Sequence, residues 1–213
     1  FDTTWEGTRI DVTSGQTGYD GSSNAWLLES NAASTSFLEQ TVSASGVQTF
    51  SVYAKSGTSD FLIFYNISTD TNPRAWFDLS GDGSVETTLG SDITAKIESI
   101  GSDWHRCSVT YDKPVTQVRI YVGETDNDFT SADGENIYIQ NAQLEQGLVA
   151  TPYIHTTDSY SKKTAGVLEN EPRYDYSGGD AALLLEPERR NLVSHSEGTT
   201  NLNLTTGVTE AYD

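Results

Sequence analysis

The chain has 213 residues, and its 31 acidic against 12 basic side chains give a formal net charge of −19 at pH 7. Nucleic acids and anionic membrane surfaces are bound through clusters of Lys and Arg, so this charge argues against both as partners. No apolar run reaches the ~20 residues that a membrane helix needs. Because the chain lacks Met and begins at Phe1, we expect it to be a piece of a longer protein.

Apolar and polar residues alternate along most of the chain up to residue 155, between turns rich in Gly, Asn, Asp and Ser. This pattern predicts strands at residues 8–12, 25–30, 36–41, 47–55, 60–66, 75–79, 84–88, 93–99, 104–111, 116–122 and 137–144. About ten short strands at regular spacing are typical of a sandwich or jelly roll. We therefore predict an all-β fold, an antiparallel jelly-roll β-sandwich over residues 1–157.

The remaining residues have a different character. Residues 158–180 show little periodicity and are interpreted as an irregular linker or arm, whereas residues 181–213 contain a short apolar connector strand. Residues 200–213 match residues 8–20 at six identical positions with one insertion, which indicates the possible start of a second repeat. We also expect the connector to fold back, with Leu183–Leu185 supplying a strand that is missing before Phe1.

Four of the predicted strands place aromatic and polar side chains on an outer face, because neighbouring side chains alternate between the two faces of a strand. The outward-facing candidates are Tyr53, Trp76, Asp78, Arg119, Tyr121, Tyr138 and Gln140, with Lys55 beside Tyr53. Sugar rings stack their CH faces on aromatic rings, while their hydroxyls bind amides, guanidinium groups and carboxylates. If one sheet holds all four strands, these residues form a solvent-facing carbohydrate platform.

Two other interpretations of the same side chains remain open. Exposed aromatic residues also occur in strands because they favour β structure, and a loop or another subunit can cover them. Trp104 is expected at the edge of the core, and the lone Cys107 is expected to be a buried, inert thiol.

The sequence gives little sign of catalytic or metal chemistry. The three histidines share no metal-ligand spacing, and no Gly-x-Ser-x-Gly nucleophile elbow is present. We expect no enzyme activity, although a glycoside hydrolase or lyase with paired carboxylates is a remaining alternative. No cofactor is certain. A structural calcium ion is possible in the acidic loop 124–135 or at Asp20, since calcium binds oxygen-rich loops.

Several segments resemble a known family. Residues 137–156 (IYIQNAQLEQGLVATPYIHT) resemble the closing strand of jelly-roll carbohydrate-binding modules of phage tail fibres and polysaccharide-degrading enzymes. Residues 172–197 resemble the connector that joins such modules in phage structural proteins, and residues 49–57, 75–83 and 102–110 also fit the family. At Gln140-Asn141 the chain lacks the acidic pair that related modules often use for calcium.

The resemblance implies an extracellular or virion protein that binds a polysaccharide or cell-surface glycan without catalysis. An alternative is a structural spacer or oligomerisation module of a phage-like fibre, in which a homo-oligomer would bury the outward-facing aromatic residues.

Overall fold

The computed structural model describes residues 4–68 and 71–156, together with Tyr174–Asp175, Ala182–Leu183 and Leu192. The strands are β1 (Glu6–Thr8), β2 (Ile10–Gln16), β3 (Ala25–Ser30), β4 (Ser34–Ala44), β5 (Val47–Ser56), β6 (Phe61–Ser68), β7 (Arg74–Asp78), β8 (Ser84–Leu89), β9 (Ile93–Gly101), β10 (Trp104–Asp112), β11 (Val115–Gly123), β12 (Thr130–Ser131), β13 (Asn136–Gln146), β14 (Tyr174–Asp175) and β15 (Ala182–Leu183). The described residues contain no helix, so none that could cross a membrane.

The strands form two antiparallel sheets. The first sheet has the order β1-β4-β11-β6-β7-β8, with β12 paired to β4, and the second has the order β2-β3-β13-β5-β10-β9. Successive strands from β3 to β6 alternate between the sheets, and the two sheets pack face to face around one shared core. This is the strand order of a jelly roll, so the predicted fold class is confirmed.

The inner faces of the two sheets pack into one apolar core. Phe50, Phe64 and Phe77 are fully buried and meet edge to face, with ring centroids 4.8 Å and 5.2 Å apart. Such pairs contribute about 0.5–1.5 kcal/mol beyond their buried area. Cys107 lies in this core, where burial raises the pKa of its thiol well above the ordinary value, so its predicted burial is confirmed.

The period-two pattern located the main strands to within a few residues. It missed β1 and β12, which are only three and two residues long, and it began β2 too early. Short strands at a sheet edge carry too few alternating positions to be recognised.

A β-bulge in β13 changes which side chains of the strand face the core: odd-numbered residues before the bulge and even-numbered residues after it. Gln140 pairs with Tyr53 and Gln143 with Ser51, so β13 advances by three residues where β5 advances by two. Asn141, within the bulge, has a left-handed backbone φ of 57°. Ile137 and Ile139 face the core before the bulge, and Ala142 and Leu144 face it afterwards. The bulge therefore turns Gln143 and Glu145 toward the outer face of the second sheet.

Most of the predicted linker, connector and second repeat lies outside the described residues, as does Phe1. Within that region, Ala182–Leu183 pair with Tyr174–Asp175 in a separate two-stranded ladder. Leu183 therefore does not extend the sandwich as predicted, while Leu184 and Leu185 are outside the described residues. Leu192 does reach the sandwich, where its backbone N–H donates to the carbonyl of Leu144 and its side chain packs against the core.

Candidate functional site

The seven predicted site residues are divided between the two sheets. Trp76, Asp78, Arg119 and Tyr121 belong to β7 and β11 of the first sheet, whereas Tyr53, Tyr138 and Gln140 belong to β5 and β13 of the second. The expectation of a single platform is therefore wrong. Alternation along a strand predicts which face a side chain takes, but it does not predict which sheet the strand joins, and a jelly roll alternates its strands between two.

The aromatic side chains on the outer face of the first sheet are covered by a loop. Trp76 is 0% and Tyr121 is 4% exposed, because the ring of Phe129 lies over them with centroids 4.8 Å and 5.1 Å away. The indole Nε1 of Trp76 donates to the carbonyl of Asp128 at 2.8 Å. The expectation that these two rings face solvent is wrong, and cover by a loop is the interpretation that holds for them.

The carboxylates in the loop that contains Phe129 accept hydrogen bonds from backbone N–H and hydroxyl groups of the protein itself. Asp126 accepts hydrogen bonds from the backbone N–H and hydroxyl of Thr87 at 2.9 Å and 2.7 Å, and Asp128 accepts from the backbone N–H of Thr130 at 3.0 Å. The Thr130 bonds lower the pKa of Asp128. Across the part of the chain that the structure describes, no group of three or more acidic, His or Cys side chains is arranged to hold a metal, so the loop gives no support to a calcium ion.

The two polar residues predicted beside these rings also have internal partners. Arg119 pairs with Glu39 at 2.7 Å, donates to Gln117 at 2.8 Å, and lies 4.6 Å from the ring centroid of Phe37. Asp78 accepts the backbone N–H of Ser80 at 2.8 Å. These contacts stabilise the outer face of the first sheet.

The outer face of the second sheet carries a different group, here called the aromatic face: Tyr19, Tyr53, Trp104 and Tyr138, with Lys55 and Arg106. Tyr19 and Tyr53 are stacked, with ring centroids 4.1 Å apart and planes at 17°. Trp104 meets Tyr19 edge-on at 6.4 Å. Trp104 is buried and the two tyrosines are half-buried, so the rings form a layered cluster with one side open.

Two cations lie among these rings. The ammonium of Lys55 is 4.7 Å from the ring centroid of Tyr138 and 5.7 Å from that of Trp104. The guanidinium of Arg106 is 5.2 Å from the ring centroid of Tyr53. At these distances the rings attract the cations and restrict their positions.

Gln140 is 1% exposed and fixes the loop that carries Tyr19. Its Oε1 accepts the backbone N–H of Tyr19 at 3.0 Å, and its Nε2 donates to Asp20 and to Ser22, both at 3.3 Å. A Cβ at Gly18 would lie 2.1 Å from this Oε1, so a larger residue there would displace the Gln140 amide from these hydrogen bonds. Gln140 is thus a positioning residue beneath the aromatic face.

Asn141, at the bulge, supports the same loop. Its side-chain Nδ2 donates to the hydroxyl of Tyr19 at 3.2 Å. Burial, followed by the neighbouring Tyr53, raises the pKa of Tyr19 to about 12. The hydroxyl therefore stays neutral over the physiological range and keeps a proton to donate.

The segment after β13 covers the other end of this face. Glu145 accepts from the backbone N–H and hydroxyl of Thr151 at 2.7 Å and 2.6 Å, and Gln143 accepts the backbone N–H of Ile154 at 2.7 Å. Arg106 donates to the carbonyl of Thr151. The open part of the sheet is consequently the area around Tyr19, Lys55 and Tyr138, with the half-buried Arg106 at its border.

The sequence interpretation missed three members of the aromatic face. Trp104 and Arg106 alternate with the inward-facing Cys107 and Val109, and this alternation is a sequence pattern that places both on the outer face. From the sequence, Trp104 is instead expected at the edge of the core. It is buried as expected, but on the outer face. Tyr19 lies in a loop, where strand periodicity gives no information.

No protein-family model matches the chain, and no curated protein matches it. Among solved structures, it is similar to the Clostridium thermocellum N-terminal endo-1,4-beta-D-xylanase 10B, with CBM22-1 and GH10 modules complexed with xylohexaose. The two chains share 11% identity at a TM-score of 0.40, and the match covers 73% of this chain but only 28% of that one. A likeness at this level transfers neither a ligand nor an activity to this chain.

Proposed function

We propose that the aromatic face binds a glycan or polysaccharide without catalysing a reaction on it. The observation that carries this proposal is the stacked pair of Tyr19 and Tyr53 together with Tyr138 and two cations, all half-buried on the outer face of one sheet. On the opposite outer face, in contrast, Phe129 and Arg119 occupy the corresponding space with internal contacts.

The chemistry of the face suits a sugar. Aromatic rings accept the apolar CH side of a pyranose, and fixed donors beside them bind its hydroxyls. Tyr53 lies under Tyr19, so the rings of Tyr19 and Tyr138 are the ones that contact the sugar, with Lys55 and Arg106 as donors. Each ring contributes on the order of 1 kcal/mol. Single-site binding is therefore weak, and several linked copies would raise the overall affinity.

The proposed site includes three of the residues predicted from the sequence: Tyr53, Tyr138 and Gln140. Of these, Gln140 is a positioning residue. Trp76, Asp78, Arg119 and Tyr121 are left outside it because their contacts are internal. The proposal also includes the extracellular or virion setting, with binding of a cell-surface glycan or polysaccharide, that the family resemblance implies.

A glycan and polysaccharide array tests the function with matched variants. We predict that Tyr138→Ala or Tyr19→Ala lowers the affinity for the bound glycan about five- to tenfold, as expected from the loss of ~1 kcal/mol. Tyr65→Ala, a half-buried tyrosine on the outer face of the first sheet, is the control and should leave affinity within about twofold. Thermal denaturation checks that each variant is folded. A folded wild type that binds no glycan on the array would exclude the proposed function.

A further inference from the structure

Building on the proposed function, we infer that the aromatic face selects a carboxylated sugar, and that Lys55 and Arg106 determine this specificity. The ligand class is a polysaccharide in which single uronic-acid-type residues are separated by neutral sugars.

The register of β5 and β10 brings the two cations together. Lys55 lies opposite Trp104, and Tyr53 lies opposite Arg106. Lys55 and Arg106 are therefore diagonal neighbours on the same outer face, with backbones roughly 7–8 Å apart. A carboxylate at the open side of Tyr138 can reach the Lys55 ammonium while its sugar ring lies on the aromatic side chains.

Neither cation has a carboxylate partner in the described part of the chain. Other cations do: Lys96 pairs with Glu98 at 2.7 Å and Arg119 with Glu39 at 2.7 Å. Glu98 lies directly opposite Arg106 in the pairing of β9 with β10, yet its carboxylate is held by Lys96. In a chain of net charge −19, two adjacent cations without a direct carboxylate contact are placed to bind an acid group of a ligand.

The acidic groups near this site bond to neutral donors and not to the two cations. Asp20 accepts the backbone N–H and hydroxyl of Ser22 at 3.0 Å and 2.6 Å, and Glu145 is bonded to Thr151. A charge-assisted bond from Lys55 to a ligand carboxylate is about twice as strong as a neutral hydrogen bond. Densely charged polymers are repelled by the protein as a whole, so isolated carboxylates are favoured over sulfated polyanions.

The experiment compares each carboxylated polysaccharide with its own carboxyl-reduced form. The probe of the proposed class is hyaluronan, which alternates a uronic acid with a neutral sugar. Polygalacturonate, carboxylated at every sugar, and heparin, which is also sulfated, are the densely charged comparisons. We expect hyaluronan to bind about tenfold more tightly than its reduced form, and polygalacturonate and heparin to bind more weakly than hyaluronan. Lys55→Gln and Arg106→Gln should remove that difference, so that each variant binds the carboxylated probe no more tightly than the reduced form.

Arg74→Gln is the matched control, since Arg74 also lies over a tyrosine, 5.7 Å from the ring centroid of Tyr65 on the other sheet. This variant should retain the preference for the carboxylated form. Equal binding of carboxylated and reduced forms, tighter binding of heparin, or binding of neutral glycans alone would overturn the acidic-sugar inference while leaving glycan binding intact. Absence of binding to every glycan of the array would instead remove the proposed function itself.

Discussion

Gln140 is a buried residue of β13 that fixes the loop carrying Tyr19, one of the rings proposed to contact the ligand. Its amide binds Tyr19, Asp20 and Ser22, which lie about 120 residues earlier in the chain. Period-two alternation placed Gln140 correctly on the outer face, but it could not indicate that a loop from another part of the chain covers this face. The sequence therefore predicted the residue as a ligand contact, whereas the structure gives it a supporting position.

We predict that Gln140→Ala lowers the free energy of unfolding by about 1–3 kcal/mol, since buried hydrogen bonds to the loop are lost. Glycan affinity should also fall several-fold, because Tyr19 is no longer fixed. Chemical denaturation and calorimetric titration measure the two effects.

Gln143→Ala is the comparison for this experiment, because Gln143 is also a fully buried amide on the same strand but binds Ile154 instead. It should lower stability with a smaller effect on glycan affinity. If Gln140→Ala bound the glycan as tightly as the wild type, the positioning role would be refuted.

At the scale of elements, the loop between β11 and β12 covers the aromatic side chains on the outer face of the first sheet. Asp126 is anchored to Thr87, and Phe129 packs between Tyr65, Trp76 and Tyr121. The sequence marked this loop only by its acidic residues, which suggested calcium. The informative residue was the single Phe in it, whose partners lie on three strands that are brought together only by the fold.

We predict that Phe129→Ala lowers the free energy of unfolding by about 2–4 kcal/mol, slightly less than the cost for a fully buried Phe. The indole of Trp76 should become accessible to a fluorescence quencher such as acrylamide. Leu148→Ala, at a side chain that is 73% exposed, should change neither property. Unchanged quenching in a folded Phe129→Ala protein would show that the loop does not cover Trp76.

At the scale of the whole molecule, the alternation of apolar residues was sufficient to predict the jelly roll and the inner and outer faces of its strands. Tyr53, Trp76, Tyr121 and Tyr138 all lie on outer faces, as predicted. Their distribution between two sheets follows from the strand order, which depends on long-range pairing that no local pattern contains. The bulge at Asn141 had a partial signal, since Leu144 breaks the parity set by Ile137 and Ile139.

The central claim is that the second sheet, and not the first, forms the binding surface. Titration of isotope-labelled protein with a glycan selected on the array, followed by NMR, tests it most directly. We predict chemical-shift changes at Tyr19, Tyr53, Lys55 and Tyr138 and in the indole of Trp104, with the indole signal of Trp76 unchanged. Saturable shifts centred on Trp76 and Arg119, with the second sheet silent, would contradict the account.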